Sequence, residues 1–415
     1  MSPTDVLVLD PKARDRVAED RELRARGPVA RVDLLGLEAW AVSHPDYLKR
    51  LLTDNRVSKD SRRHYPDFEQ TVQRWPLWLW IAVENMFTAY GTDHRALRRL
   101  VGPAFNHRRT QAMRPVIQDI TERLLTRMLA KQEAGDLVDL RADFAHQLPM
   151  DVIHHLMGMP REWQETMADP VAKVFDTSLD IAAALQNGEG LKALLARFVE
   201  HKRAHPGDDL TTDLIHARDG ERRLSEEQLV DTLLLVFTAG YETTVGLIVN
   251  THRNLLTHPR QLDIVRRNPK EATVAAVQET LRRDASIALL PLRYATEPID
   301  LPEAGVRIGQ GEPILAAYSA AGRHPDIFDQ PDVFDVLRPN ASAHLAFGHG
   351  AHLCLGAPLA IAEAEIATRS FLNAFPDAVL AVEEHQLTPV ESVISNSLRE
   401  LPITCGGDKQ TGEAA

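Results

Sequence analysis

The 415-residue chain contains two cysteines, and one of them is placed for chemistry. Cys354 stands in the run Phe347-Gly348-His349-Gly350-Ala351-His352-Leu353-Cys354-Leu355-Gly356, just before a helix-forming stretch over residues 357–375. Glycine accepts backbone conformations that other residues resist, and it lets a flat ligand approach the chain closely. A helix starting after Cys354 would aim its positive end and unpaired N–H groups at the sulfur, which lowers a thiol pKa. Pro358 suits the first turn of such a helix. A thiolate with open space above it is what a haem iron takes as an axial ligand. The same residues also fit a buried structural cysteine in a turn, or a zinc site built from His349, His352 and Cys354. Zinc usually takes four ligands, and no Cys-x-x-Cys pair is present to complete the set.

A second constellation is Ala239-Gly240-Tyr241-Glu242-Thr243-Thr244. An acid and an alcohol sit side by side in an otherwise apolar segment, which is costly unless they are used or paired. Gly240 leaves room for a small ligand against the backbone, and the threonine hydroxyl competes for a carbonyl four residues back. The residue types alone leave open a Thr243 that bonds its own helix and a Glu242 that reaches the surface. Further along, Glu279 and Arg282 are three apart on one predicted helix. His94 and Arg98 are four apart and share a face of another. Singly, these charges and Arg293 read as ordinary surface decoration.

Taken together, the motifs resemble those of the cytochrome P-450 family. The cysteine run fills every fixed position of Phe-Gly-x-Gly-x-His/Arg-x-Cys-x-Gly, and residues 239–244 fill Ala/Gly-Gly-x-Asp/Glu-Thr-Thr/Ser. The resemblance extends over essentially the whole chain. It implies a mainly α fold with a small β region, a single triangular helical domain around a buried haem, here residues 1–405 with a frayed tail over 406–415. It implies Cys354 as the iron ligand of heme b, with Phe347, Gly348, Ala239 and Gly240 against the cofactor and His94, Arg98, Arg293 and His352 on its propionates. Thr243 and Glu242 would be the catalytic pair that delivers protons in oxygen activation. Arg338 would join Glu279 and Arg282 in a buried structural triad. The implied activity is a monooxygenase that uses O2 and electrons from a ferredoxin and ferredoxin reductase to oxidise an apolar or aromatic small molecule, by hydroxylation, epoxidation or oxidative coupling, in secondary-metabolite biosynthesis. A haem sensor or carrier without turnover, and a peroxide-driven enzyme, are the alternatives. Two positions depart from the family pattern: Ile361 stands where relatives often have Arg, and Gly322-Arg323-His324-Pro325 stands where they often read Asn-Arg-Asp-Pro.

The elements that must position these groups are mostly helical. Thr92 or Asp93 can cap a helix through His94 and Leu100. Residues 111–131 carry apolar residues at helical spacing. Ser225 with Gln228 forms a capping box for a central buried helix running to about Thr251. Strand-like segments fall at 29–35, 39–42, 299–301, 306–308 and 313–317. The composition, 44% hydrophobic and 26% charged, fits a globular protein with a large core. A net charge of -12 argues against nucleic-acid binding. With so few cysteines, the expectation is a reducing cytoplasm and a packed thiol at Cys405. The N-terminus shows no apolar signal core, and the longest apolar run, residues 233–237, is too short to span a bilayer. The expectation is a monomer without a membrane. Arg95, Arg99, Arg108 and Arg109 could form a dock for an acidic electron donor. Pocket walls are expected from residues 74–90, 171–195, 235–244, 286–290 and 393–394. Trp75, Trp78, Trp80 and Phe87 either stack a substrate or pack a short helix.

Overall fold

The structure, a computed structural model, describes residues 6–405, Cys405 by its backbone only. The tail expected over 406–415 and the packing of the Cys405 thiol lie outside that description. The body is helical and is organised around one long helix, Glu226–Thr257. Its start follows from the capping box: Ser225 Oγ accepts from the Gln228 N–H and Gln228 Oε1 accepts from the Ser225 N–H, both at 3.1 Å. It runs past Thr251 and stops where Pro259 opens the next helix, Pro259–Arg267. By length and composition this helix could cross a membrane, but 78% of its apolar window is buried inside the fold.

Helices Gln147–Met157, Ile181–Ala204, Glu271–Arg283 and Ala357–Ala374 pack around it, and His107–Glu133 packs on the first and last of these. The largest of three hydrophobic clusters fills the space between them, from Leu124 and Phe144 to Phe237, Val245 and Phe371. Each large apolar side chain so buried contributes roughly 1.5–3 kcal/mol. Ile361, one of the departures noted above, packs against this cluster.

The β region lies to the side. Its largest sheet has the order Leu7–Val8, Val29–Leu34, Leu37–Val42, Pro313–Ala317, Leu289–Ala295, Val57–Ser58. Strands 29–34, 37–42, 299–301, 306–308 and 313–317 follow the expectation closely. Leu289–Ala295 was not expected, and it matters for the site. A register shift between Leu290 and Arg293 in its pairing with Pro313–Ala317 marks a bulge, which re-aims the side chains beyond it. Its other edge pairs Val57 with Ala295 and Ser58 with Tyr294.

The Glu-x-x-Arg pair is a buried knot. Arg282 donates to both Glu279 oxygens, at 2.7 and 2.8 Å, and Arg338 Nε donates to Glu279 Oε1 at 3.0 Å. Glu279 and Arg282 are fully buried, so removing either leaves an uncompensated charge. Gly322 explains itself here: a Cβ at that position would lie 1.9 Å from the Arg282 carbonyl oxygen. Arg323 next to it is held between Asp284 at 2.7 Å and Asp332 at 2.8 Å. His324 packs its ring against His44, with centroids 4.2 Å apart.

Candidate active site

Cys354 sits at the end of a loop whose shape depends on two left-handed glycines, Gly348 (φ 76°) and Gly350 (φ 71°). At Gly350 a Cβ would come within 2.9 Å of the Leu52 carbonyl oxygen, so glycine is required for both conformation and packing. The Cys354 N–H donates to the Phe347 carbonyl at 3.0 Å, closing the loop on itself. The helix Ala357–Ala374 begins three residues on with Pro358 in its first turn. The thiol opens onto a cavity and has no disulfide partner. Burial pushes the thiol pKa up, and the N–H groups of Gly356 and Ala357 together with Arg98 only partly oppose it. The helix end therefore acts in the expected direction, but the net shift is upward, because desolvation of the anion outweighs it. A bound metal cation would deprotonate such a thiol outright.

That cavity has an empty volume of about 1380 Å³, its opening to solvent included. The cysteine loop supplies Phe347, Gly348 and His352 to its wall. The central helix supplies Ala239, Gly240, Thr243 and Thr244. A second cavity of about 590 Å³ shares Phe87, Leu235, Ala239, Thr243, Ile287 and Leu290 with the first, and adds Trp80 and Phe175. Thr243 Oγ1 donates to the Ala239 carbonyl at 2.5 Å, the four-back bond that its place in the helix allowed. Glu242 faces elsewhere. It is buried, and its Oε1 lies 3.3 Å from Arg141 Nη2. Burial raises its pKa, against the pull of the Arg141 guanidinium.

The expected cations converge. The rings of His94 and His352 lie with centroids 4.0 Å apart. Arg98 donates to the Ala351 and Leu353 carbonyls at 2.9 and 2.8 Å, so it also braces the cysteine loop. Arg293 is buried and its Nη1 has no hydrogen-bond partner. Burial, then Arg98 and Arg95, lower the His94 pKa to about 4. The helix that carries His94 is Gly91–Val101. It starts ahead of Thr92 and Asp93, neither of which caps it; Asp93 pairs with Arg63 at 3.0 Å instead.

The chain matches the family model "Cytochrome P450" over residues 9–185 and 189–397. It is 37% identical over 406 residues to the 2-hydroxy-5-methyl-1-naphthoate 7-hydroxylase of Streptomyces carzinostaticus, covering 96% of this chain and 97% of that protein. The chain belongs to the cytochrome P450 family. The 6-deoxyerythronolide B hydroxylase of Saccharopolyspora erythraea is 35% identical over 399 residues, covering 93% of this chain and 95% of that one. Among solved structures, CYP154A1 from Streptomyces coelicolor A3(2) superposes with a TM-score of 0.92 at 50% identity, over 96% of this chain and 100% of that one. The fold is accordingly the P450 fold and the protein is a P450 monooxygenase, an oxidoreductase.

A cytochrome P450 carries a haem on a cysteine thiolate, and the residues here fit one. His94 Nε2, Arg293 Nη1 and the Tyr318 hydroxyl are buried without hydrogen-bond partners; Tyr318 lines the cavity that holds Cys354, His94 packs on its wall residue His352, and the Arg293 charge acts on the same His352. Uncompensated polar groups of this kind are rare in native interiors and mark a missing partner. A planar group with two carboxylates and a metal supplies what each of them lacks.

Other expectations resolve differently. Trp75 is core, and its indole N–H donates to the Leu34 carbonyl; Trp78 and Trp80 donate to Ala184 and Val174. These rings tie the segment to its neighbours, and only Trp80 and Phe87 also line the cavities. Val393 and Ile394 are fully buried in the second core cluster rather than cavity-lining. Of the basic cluster, Arg99 pairs with Asp219 and Arg109 with Asp213, while Arg95 and Arg108 are exposed. Three residues escaped the sequence reading. Arg141 pairs with Glu242, His146 Nε2 contacts the buried Tyr241 hydroxyl, and Lys59 is buried beside the cation cluster. Arg141 opens and His146 follows a π-helical turn, Arg141–Ala145, which no periodicity announces.

Proposed function

We propose that this P450 hydroxylates an apolar or aromatic small molecule of secondary metabolism, using O2 and two electrons delivered by a ferredoxin and its reductase. One observation carries the reading: Cys354 and Thr243 line the same apolar cavity, with Arg98 and His352 also in its wall and the partnerless Arg293 close enough to act on His352. The named activities of the relatives, hydroxylation of a naphthoate and of 6-deoxyerythronolide B, agree with a small-molecule hydroxylase.

In this reading Cys354 holds the iron of heme b. Arg98 and Arg293 would neutralise its carboxylates, and His94 and His352 would donate hydrogen bonds to them. Ala239, Gly240, Phe347 and Gly348 give it flat walls. When bound, the haem supplies oxygen activation by an electron-rich, thiolate-ligated iron. The chain contributes the rest. The apolar walls exclude water and hold substrate by burial. Thr243 presents its hydroxyl to the cavity and can turn its proton from the Ala239 carbonyl toward the reacting atoms. Burial raises the Glu242 pKa against the pull of Arg141, which favours proton exchange at a carboxyl one residue from Thr243, and Arg141 holds that carboxyl in place. Exposed Arg95 and Arg108 offer charge to an acidic electron donor.

Turnover of an apolar aromatic panel tests this. With a ferredoxin, its reductase and NADPH, oxygenated product should accumulate in step with electron use. Product formed with hydrogen peroxide alone and not with the electron-transfer system would replace the reading with a peroxygenase. Haem binding without product in either system would leave a sensor or carrier.

A further inference from the structure

Lys59 is 3% exposed and its Nζ has no hydrogen-bond partner. Nothing in the sequence around it suggests a site. It arrives there because Val57–Ser58 pairs with Leu289–Ala295, with Ser58 opposite Tyr294, which sets Lys59 beside Arg293. Its ammonium lies 3.4 Å from the centroid of the Phe87 ring, which covers one side of it. The charges that act most strongly on Lys59, His352 and His94 are positive. Arg293 acts on Lys59; His94, Lys59, Arg293 and Arg98 act on His352; Arg98 and Arg95 act on His94.

A buried cation without an anion is among the most costly arrangements in a protein, and an aromatic face offsets only part of the cost. With no counter-charge, burial and Arg293 hold the Lys59 pKa well below its usual range. Arg293, with its own partnerless Nη1, repeats the demand from the adjoining strand. Lys59, the residue after strand Val57–Ser58, and Arg293 on the paired strand thus bring two unsatisfied cationic groups together, and among the described residues neither is in a salt bridge. The missing partner is an anion with planar, hydrogen-bond-accepting oxygens.

We infer that Lys59 is a carboxylate-binding residue, and that the carboxylate it takes belongs to the prosthetic group of the candidate site, adding an ammonium to His94, Arg98, Arg293 and His352. The inference rests on the haem reading above and adds a residue to it. Phe87, whose ring clamps Lys59, also lines both cavities, so this contact joins the cofactor rim to the substrate space.

The test is loss of haem from purified holoprotein to an excess of a scavenging apoglobin, followed in the Soret band. Lys59→Met removes the charge at similar length, and Lys59→Arg keeps it. Haem should leave Lys59→Met about tenfold faster or more, as expected for a lost charge-assisted hydrogen bond, and leave Lys59→Arg at close to the wild-type rate. If Lys59→Met yields too little holoprotein, Lys59→Gln is measured in the same way. Wild-type rates in the neutral variants, or equal acceleration in Lys59→Arg and Lys59→Met, would overturn the inference, the latter by showing that the role is packing. A second arm compares binding of 1-naphthoate and naphthalene by the shift of the Soret band. Unchanged haem loss with selectively weakened naphthoate binding would move the carboxylate from cofactor to substrate and overturn the cofactor assignment. Wild-type protein that takes up no haem would instead remove the reading on which all of this stands.

Discussion

Thr243 and Glu242 are adjacent in the chain but meet different surroundings: the hydroxyl lines the cavity, and the carboxyl is buried against Arg141. The two roles can therefore be separated. Thr243→Ala should bind haem normally and lower the product formed per electron consumed by about tenfold or more, with hydrogen peroxide appearing instead. Parallel assays of product, NADPH and peroxide measure it, and unchanged coupling would remove Thr243 from the mechanism. The knot of Glu279, Arg282 and Arg338 belongs to a different class, since nothing in it lines the cavities apart from its helix neighbour Leu281. Arg282→Met leaves the Glu279 carboxylate buried with half its partners, at a cost of about 3–5 kcal/mol in denaturant unfolding. Both groups were reached in the sequence through the family resemblance, since an acid beside an alcohol and a charge pair three apart are by themselves common. Lys59 was not, because only strand register brings it to the site. The expected depression of the Cys354 pKa was half right: the helix N–H groups are in place, but sequence does not show how far burial would outweigh them.

At the scale of elements, the cavity roof is tied to the central helix through one side chain. Asp231 is fully buried; its Oδ2 accepts from the Glu84 N–H at 2.6 Å, its Oδ1 lies 2.8 Å from Lys192 Nζ, and its carbonyl accepts from Asn85 at 2.8 Å. Asn85 Oδ1 in turn accepts from the Phe87 N–H at 2.8 Å. One carboxylate thus links the loop that places Phe87, the helix Ile181–Ala204 and the helix of Thr243. Trp78 reinforces the tie, its indole N–H bonded to Ala184 and its ring so close to Gly188 that a Cβ there would lie 2.5 Å away. Asp231→Asn should raise amide hydrogen exchange about tenfold over residues 83–89 and 181–195 and leave residues 357–374 unchanged. Uniform protection in wild type and variant would show that the tie carries little of the roof's order. Little of this was visible beforehand. The tryptophans announced themselves by density, but whether a ring faces ligand or backbone depends on what its N–H can reach. The long helices were legible through their caps and periodicity. Leu289–Ala295 was missed because a strand buried on both faces shows no alternation.

For the whole molecule, the acid side of the stability curve is set by groups buried uncharged. Burial lowers the pKa of His154 and of His252 to about 4 from an ordinary 6.5. The folded state resists charging them, so their contribution is complete above about pH 6.5 and is lost as the pH falls through 4. Asp284 adds to the loss at lower pH. Burial alone would raise its pKa, but Arg253, Arg283 and Arg323 hold it far below the carboxylate range, so its contribution fades below about pH 4. Buried carboxyls such as Asp20, whose pKa burial raises to about 6, act in the opposite sense over the same window, so the histidine share is read by difference. His154→Phe should lose less unfolding free energy than wild type between pH 6.5 and 4 and match its slope from pH 8 to 6.5. Identical slopes for the two proteins between pH 6.5 and 4 in denaturant titrations would contradict this account of the core.

The central claim, that Cys354 grips a haem iron as a thiolate inside this cavity, is tested most directly by the absorbance spectrum of reduced protein under carbon monoxide. Wild-type protein is predicted to hold one haem per chain and show the red-shifted Soret band of thiolate ligation, and Cys354→Ser to lose that band. A wild-type protein without haem, or a Cys354→Ser variant with the same band, would contradict it.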